Sequence, residues 1–115
     1  DTVTIGVGGV PTALTAVAGT RTSGSNDFSV SAGTTDAQAA EIAAAINDAS
    51  NSFAATVAAT TALNVVTITA KTAGSGGDAT TLASSVTAPG TDTLSGANLT
   101  GGGAANSMVL NGNPD

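Results

Sequence analysis

Alanine, threonine, glycine and serine fill 70 of the 115 positions, and this limits what the chain can fold into more than any motif within it. Side chains so small fill little space, so a core built from them is thin and its backbones lie close together. Phe28 and Phe53 are the only large apolar anchors, and Trp, Tyr, Cys and His are absent. Leu, Ile, Val and Phe together number 22, at the lean edge of what a globular core uses. Disorder at that edge also requires high net charge. Here the net charge is only −6, mean hydropathy is +0.28, and the apolar residues are patterned. One folded domain is therefore expected, with a radius of gyration of roughly 13 Å. A small core of this kind gives marginal stability, on the order of 0.05–0.15 kcal/mol per residue. Support from neighbours in an assembly is expected.

Charge is sparse as well as acidic. Arg21 and Lys71 are the only bases, and two isolated cations cannot neutralise a run of phosphates as a nucleic-acid binder must. Anionic membrane surfaces are disfavoured for the same reason, and no apolar run approaches the roughly 20 residues of a spanning helix. No basic-then-apolar leader opens the sequence. It begins on a strand, Asp1-Thr2-Val3-Thr4-Ile5, as a processed or excised piece would. Without cysteine there is no disulfide scaffold.

Val3 and Ile5 alternate with Thr2 and Thr4, the period-2 signature of a half-buried strand. Gly6-Val7-Gly8-Gly9 interrupts it before Ala13-Leu14-Thr15-Ala16-Val17, which reads as a hairpin. Gly19 to Asn26 is a small, polar loop, and Phe28-Ser29-Val30-Ser31 is a third strand with Phe28 and Val30 on one face. A helix is expected over Asp36–Ala49. Thr35 serves as N-cap with Gln38 completing a capping box, and Asp36 and Glu41 lie near the positive end. Ala39, Ile42, Ala43, Ile46 and Ala49 form its apolar face, ended by Asn47-Asp48-Ala49-Ser50-Asn51. Phe53, Ala55, Val57 and Ala59 then alternate along a strand, Thr60-Thr61-Ala62 turns, and Leu63–Ala70 returns with Val66 and Ile68 on one face. Thr80–Val86 reads as a strand or a helical turn. Thr93-Leu94 and Asn98-Leu99-Thr100 read as weak edge strands. Gly101-Gly102-Gly103 is a flexible joint. Beyond it the apolar run Met108-Val109-Leu110 reads as a frayed terminus or as a strand lent to a neighbour.

Ala39-Ala40-Glu41-Ile42-Ala43-Ala44-Ala45-Ile46-Asn47, followed by Val65-Val66-Thr67-Ile68-Thr69-Ala70-Lys71-Thr72-Ala73-Gly74, resembles a small domain of tailed-bacteriophage tail, baseplate and head-decoration proteins. The same stretch is similar to the hook-IN segment of flagellins and hook-associated proteins. Leu94-Ser95-Gly96-Ala97-Asn98-Leu99-Thr100-Gly101-Gly102 looks like the phage version. The likeness covers most of residues 1–103, and its motif is built from Ala, Thr and Gly. It implies an assembly module on a particle or filament and brings no catalytic residues. The long helices of flagellin ends are missing, which sets the chain apart from a self-sufficient flagellin.

Acid–base and nucleophilic chemistry needs His, Cys or closely held carboxylates. The acids Asp1, Asp27, Asp36, Glu41, Asp48, Asp78, Asp92 and Asp115 are scattered through caps and loops. Gly6-Val7-Gly8-Gly9 is followed by strand residues, where a phosphate loop needs a helix. Gly74-Ser75-Gly76-Gly77-Asp78 offers one carboxylate to calcium, where an ordered site uses several. Transition-metal ligands are lacking. Asn98-Leu99-Thr100 fits a glycosylation acceptor, coincidental in a phage-like protein. Arg21 and Lys71 are expected to be solvated or paired with an acid.

The expectation is thus an α+β domain over 1–103, with two hairpins and edge strands in a sheet or flattened sandwich and one Ala-rich helix packed on it. Residues 104–115 form a flexible tail and candidate donated strand, with Met108, Val109 and Leu110 as the assembly contact. Catalytic, cofactor and metal sites are expected to be absent. The expected function is a non-catalytic structural subunit, a capsid-decoration or tail module, at a virion or extracellular surface. Its partners would be its own copies, as a homo-oligomer, or a larger virion or filament protein, without nucleic acid or membrane insertion. The alternatives are a surface-filament or adhesin repeat joined by strand exchange, and a carbohydrate-binding module, which the lack of Trp and Tyr disfavours.

Overall fold

The computed structural model describes residues 2–7, 10–71, 81–85, 92–94 and 105–110. Within them lie β1 (Thr2–Val7), β2 (Val10–Val17), β3 (Asp27–Ser29), α1 (Thr35–Asn47), β4 (Val57–Ala62), β5 (Val65–Ala70), β6 (Thr81–Ser85), β7 (Asp92–Leu94) and β8 (Ala105–Leu110). The strands form two four-stranded sheets, ordered β3-β2-β1-β6 and β4-β5-β8-β7. All pairings are antiparallel except that of β2 with β3. The radius of gyration is 12.8 Å.

Strict alternation sends one face of each strand inward. Val3, Ile5, Leu14, Phe28 and Leu82 from the first sheet meet Val57, Ala59, Val66, Ile68 and Ala70 from the second. Helix α1 completes the core, inserting Ala39, Ile42, Ala43, Ala45 and Ile46. It packs against β3 of one sheet and β4 of the other, so it closes one long side of the sandwich. Alanine on that face is what lets the helix axis come close. This is the α+β architecture expected from the sequence, in its flattened-sandwich form.

Several boundaries differ from the expectation, each for a physical reason. The N-cap is Thr34, whose hydroxyl accepts the Ala37 amide at 3.2 Å. Gln38 makes no capping box, because its position on the helix points it into the core, where it is fully buried. The helix ends at Asn47, and Ala49 is exposed rather than on the apolar face. Phe53 is followed by a turn, with the amides of Thr56 and Val57 both donating to its carbonyl at 3.0 Å, so Ala55 is exposed and not in a strand. The β4–β5 hairpin turns later than expected, beginning at Leu63 instead of Thr60. Ala62 pairs with Val65, leaving Leu63 and Asn64 as the loop, with Leu63 at φ +53°. Positive φ at the first loop position is what the favoured two-residue hairpin turns demand.

Thr81–Ser85 is a strand, paired with β1, and Thr93-Leu94 falls in β7 at the end of its sheet. The turn glycines Gly8 and Gly9, the loop Gly74–Asp78, and Asn98-Leu99-Thr100 lie outside the described residues. The largest correction concerns residues 105–110, the described part of the tail expected over 104–115. Ala105–Leu110 is not a flexible tail but β8, seated between β5 and β7 of its own sheet.

Candidate functional site

A strand at the end of a sheet carries backbone N–H and C=O groups that face away from its neighbour, at every second residue. In β3 those residues are Asp27 and Ser29, and helix α1 reaches both groups of Ser29. The Ser29 amide donates to Glu41 Oε1 at 3.1 Å, and Gln38 Nε2 donates to the Ser29 carbonyl at 2.7 Å. In β4 the corresponding residue is Ala59. Its amide donates to Asn47 Oδ1 at 2.9 Å, and Asn47 Nδ2 donates back to its carbonyl at 2.7 Å. A single amide side chain thereby does what a neighbouring strand would do. One helix closes an edge of each sheet with its own polar residues.

The remaining polar groups hold the loops around this helix. Arg21 lies between two acids, with Nε 3.3 Å from Glu41 Oε1 and Nη1 2.7 Å from Asp48 Oδ2. Asp48 also accepts from the Ser23 hydroxyl at 3.0 Å and the Ser50 amide at 2.9 Å. The Ser50 amide above all, then the Ser23 hydroxyl, keep the Asp48 carboxyl below its ordinary value of 3.8; desolvation opposes them, and Arg21 adds a lesser lowering effect. Asn51, buried, takes the amides of Gly24 and Asn26 on its oxygen and gives its own N–H to the Ala45 carbonyl. Asp27 accepts the Thr22 amide at 2.9 Å. Lys71 Nζ donates to the Ala54 carbonyl. Arg21 is thus paired with acids, as expected, whereas Lys71 bonds a main-chain carbonyl instead of an acid.

Met108, Val109 and Leu110, the candidate assembly contact, stand in β8. Met108 is opposite Val66 and Leu94, Val109 opposite Val65 and Thr93, and Leu110 opposite Asp92. To lend this strand to a neighbour, the chain would have to break two ladders within its own sheet. Gly6 belongs to β1, and a Cβ there would collide with the Thr81 hydroxyl on β6. That close approach gives Gly6 a packing reason. Among the described residues no three His, Cys, Asp or Glu side chains converge on one point, and no helix is long and apolar enough to cross a membrane. Sequence reasoning passed over Gln38, Asn47 and Asn51 as edge and loop clamps, taking them for cap and loop-forming residues. The chain matches no family model, no curated protein and no solved structure.

Proposed function

We propose that this chain is a non-catalytic structural module that acts by joining copies of itself, or a larger partner, into a particle or filament at a virion or extracellular surface. One observation carries the reading. The polar side chains Arg21, Gln38, Glu41, Asn47, Asp48 and Asn51 all bond backbone groups or one another in the service of the fold. Catalytic groups are held in perturbed, convergent settings with reach to a substrate, whereas these are turned onto main chain. Among the described residues, what is left for contact is mostly small uncharged side chains and strand backbone, with Asp36 and Leu63 among the exposed exceptions. Such surfaces recognise other strands more readily than they recognise small molecules. Within this reading, a capsid-decoration or tail module suits a light domain of this length.

Sedimentation tests it. The purified chain is run at rising concentration, and again with particles and filaments isolated from its source. Self-association or co-sedimentation is expected, with a melting temperature that rises with concentration as mass action requires. A chain that stays monomeric and unbound throughout, or that turns over a substrate alone, contradicts the proposal.

A further inference from the structure

The two edges closed by α1 are not equally closed. Position by position, the groups of β4 that face away from β5 belong to Val57, Ala59 and Thr61. The Val57 amide is taken by the Phe53 carbonyl, and Ala59 by Asn47. Thr61 has no such partner among the described residues. The strand runs past the end of the helix there, and Thr60, Thr61, Ala62 and Leu63 are all exposed. Leu63, at 76%, is the one large apolar side chain so exposed among the described residues. It also holds φ +53°, a left-handed backbone that strains any residue with a side chain. Asn47, the guard of Ala59, is itself exposed, so its amide can turn to water and leave the edge open.

We propose that the distal half of β4 is a guarded self-association edge, and that its occupant is the same edge of a second copy, laid antiparallel across a two-fold axis. Two features favour a second copy. Residues 49–70 carry no charge in a chain whose net charge is −6, so this edge meets its own image without the like-charge repulsion found elsewhere on the molecule. An edge that pairs antiparallel with itself also makes an isologous, closed contact. With Asn47 in place the pairing can use only Thr61, giving about two backbone bonds. With Asn47 swung out, Ala59 and Thr61 of one copy pair with Thr61 and Ala59 of the other, giving about four. Asn47 therefore sets the concentration at which copies join. The inference deepens the assembly reading by naming the contact and its partner.

The test uses the full chain and three variants in sedimentation velocity. Asn47→Ala removes the guard. Thr61→Pro removes an N–H that points away from β5, a change an edge strand tolerates because no internal ladder bond is lost. Far-ultraviolet circular dichroism checks that each variant keeps its strands. Asn47→Ala is expected to dimerise at least tenfold more tightly than the unsubstituted chain, and Asn47→Ala/Thr61→Pro to return to monomer. Thr61→Pro alone should weaken whatever association the unsubstituted chain shows. If Asn47→Ala associates no better than the unsubstituted chain, or if the double variant associates as well as Asn47→Ala, the edge is not the contact. In that event, association of the unsubstituted chain that Thr61→Pro leaves intact would preserve the assembly reading while overturning this one. Should Thr61→Pro unfold, Thr61→Lys replaces it, with the same expectations.

Discussion

The edge of β3 and the edge of β4 are closed by the same helix yet differ in how firmly they are held. Ser29 is held by two side chains, and one of them, Gln38, is wholly buried and cannot leave without opening the core. The other, Glu41, is tied in turn to Arg21. Ala59 is held by Asn47 alone, from the exposed last turn of the helix. The three-residue β3 ends within reach of its guards, while the six-residue β4 outruns its guard. Closure of a sheet edge is therefore set by strand length relative to the helix beside it, as well as by the residues that do the closing. Short edge strands and polar edge blocks are general defences against unwanted pairing. Here one edge has both and the other only the second.

The comparison can be broken most severely at the helix itself. Ile46→Ala removes a fully buried side chain between the two sheets and should cost about 2–5 kcal/mol. Both edges should loosen together, seen as a lower urea midpoint and as amide exchange at Ser29 and Ala59 alike. Next in size, Asn51→Ala strands the amides of Gly24 and Asn26 and the carbonyl of Ala45, at about 1–3 kcal/mol. Only the loop leading into β3 should lose protection. The guards themselves should separate more finely in chemical denaturation. Gln38→Ala opens a cavity and should cost about 2 kcal/mol, whereas Asn47→Ala, at an exposed site, should cost about 1 kcal/mol or less. Leu63→Gly relieves the left-handed backbone at the free end of β4 and should raise stability by about 1 kcal/mol, seen as a higher unfolding midpoint.

The smallest effect is that of pH. Asp48 has a lowered folded-state value, so its contribution is complete above the ordinary 3.8 and is lost as pH falls through the lower folded value. Asp48→Asn should flatten this acid limb of a melting-temperature profile and leave neutral behaviour at β4 unchanged.

Strand existence was legible in the sequence wherever Val, Ile and Thr alternated, and the helix was legible from Ile42 and Ile46 among alanines. The turn of the second hairpin was not, because Thr60 and Thr61 are strand formers that look like turn residues only when clustered. Leucine, moreover, is a poor sign of positive φ. The correct N-cap was hidden by two adjacent threonines, of which only Thr34 leaves Gln38 free to face inward. The parallel pairing of β3 left no local trace, since parallel register depends on contacts distant in sequence. Asn47 and Asn51 were seen as the residues that stop a helix. Their role as backbone clamps follows from where β4 and the loop before β3 arrive, which no local pattern records. The apolar run at 108–110 reads in the sequence as a frayed terminus or a lent strand, because an apolar pentad behind glycines looks the same whether it frays, docks at home or docks on a neighbour.

Residue-resolved amide hydrogen exchange on the dilute monomer tests the account most directly. The Ser29 and Ala59 amides should exchange slowly, each held by a side chain of α1, while the Thr61 amide exchanges close to the rate of an open chain. A Thr61 amide as slow as that of Ala59, or a Ser29 amide as fast as that of Thr61, would contradict it.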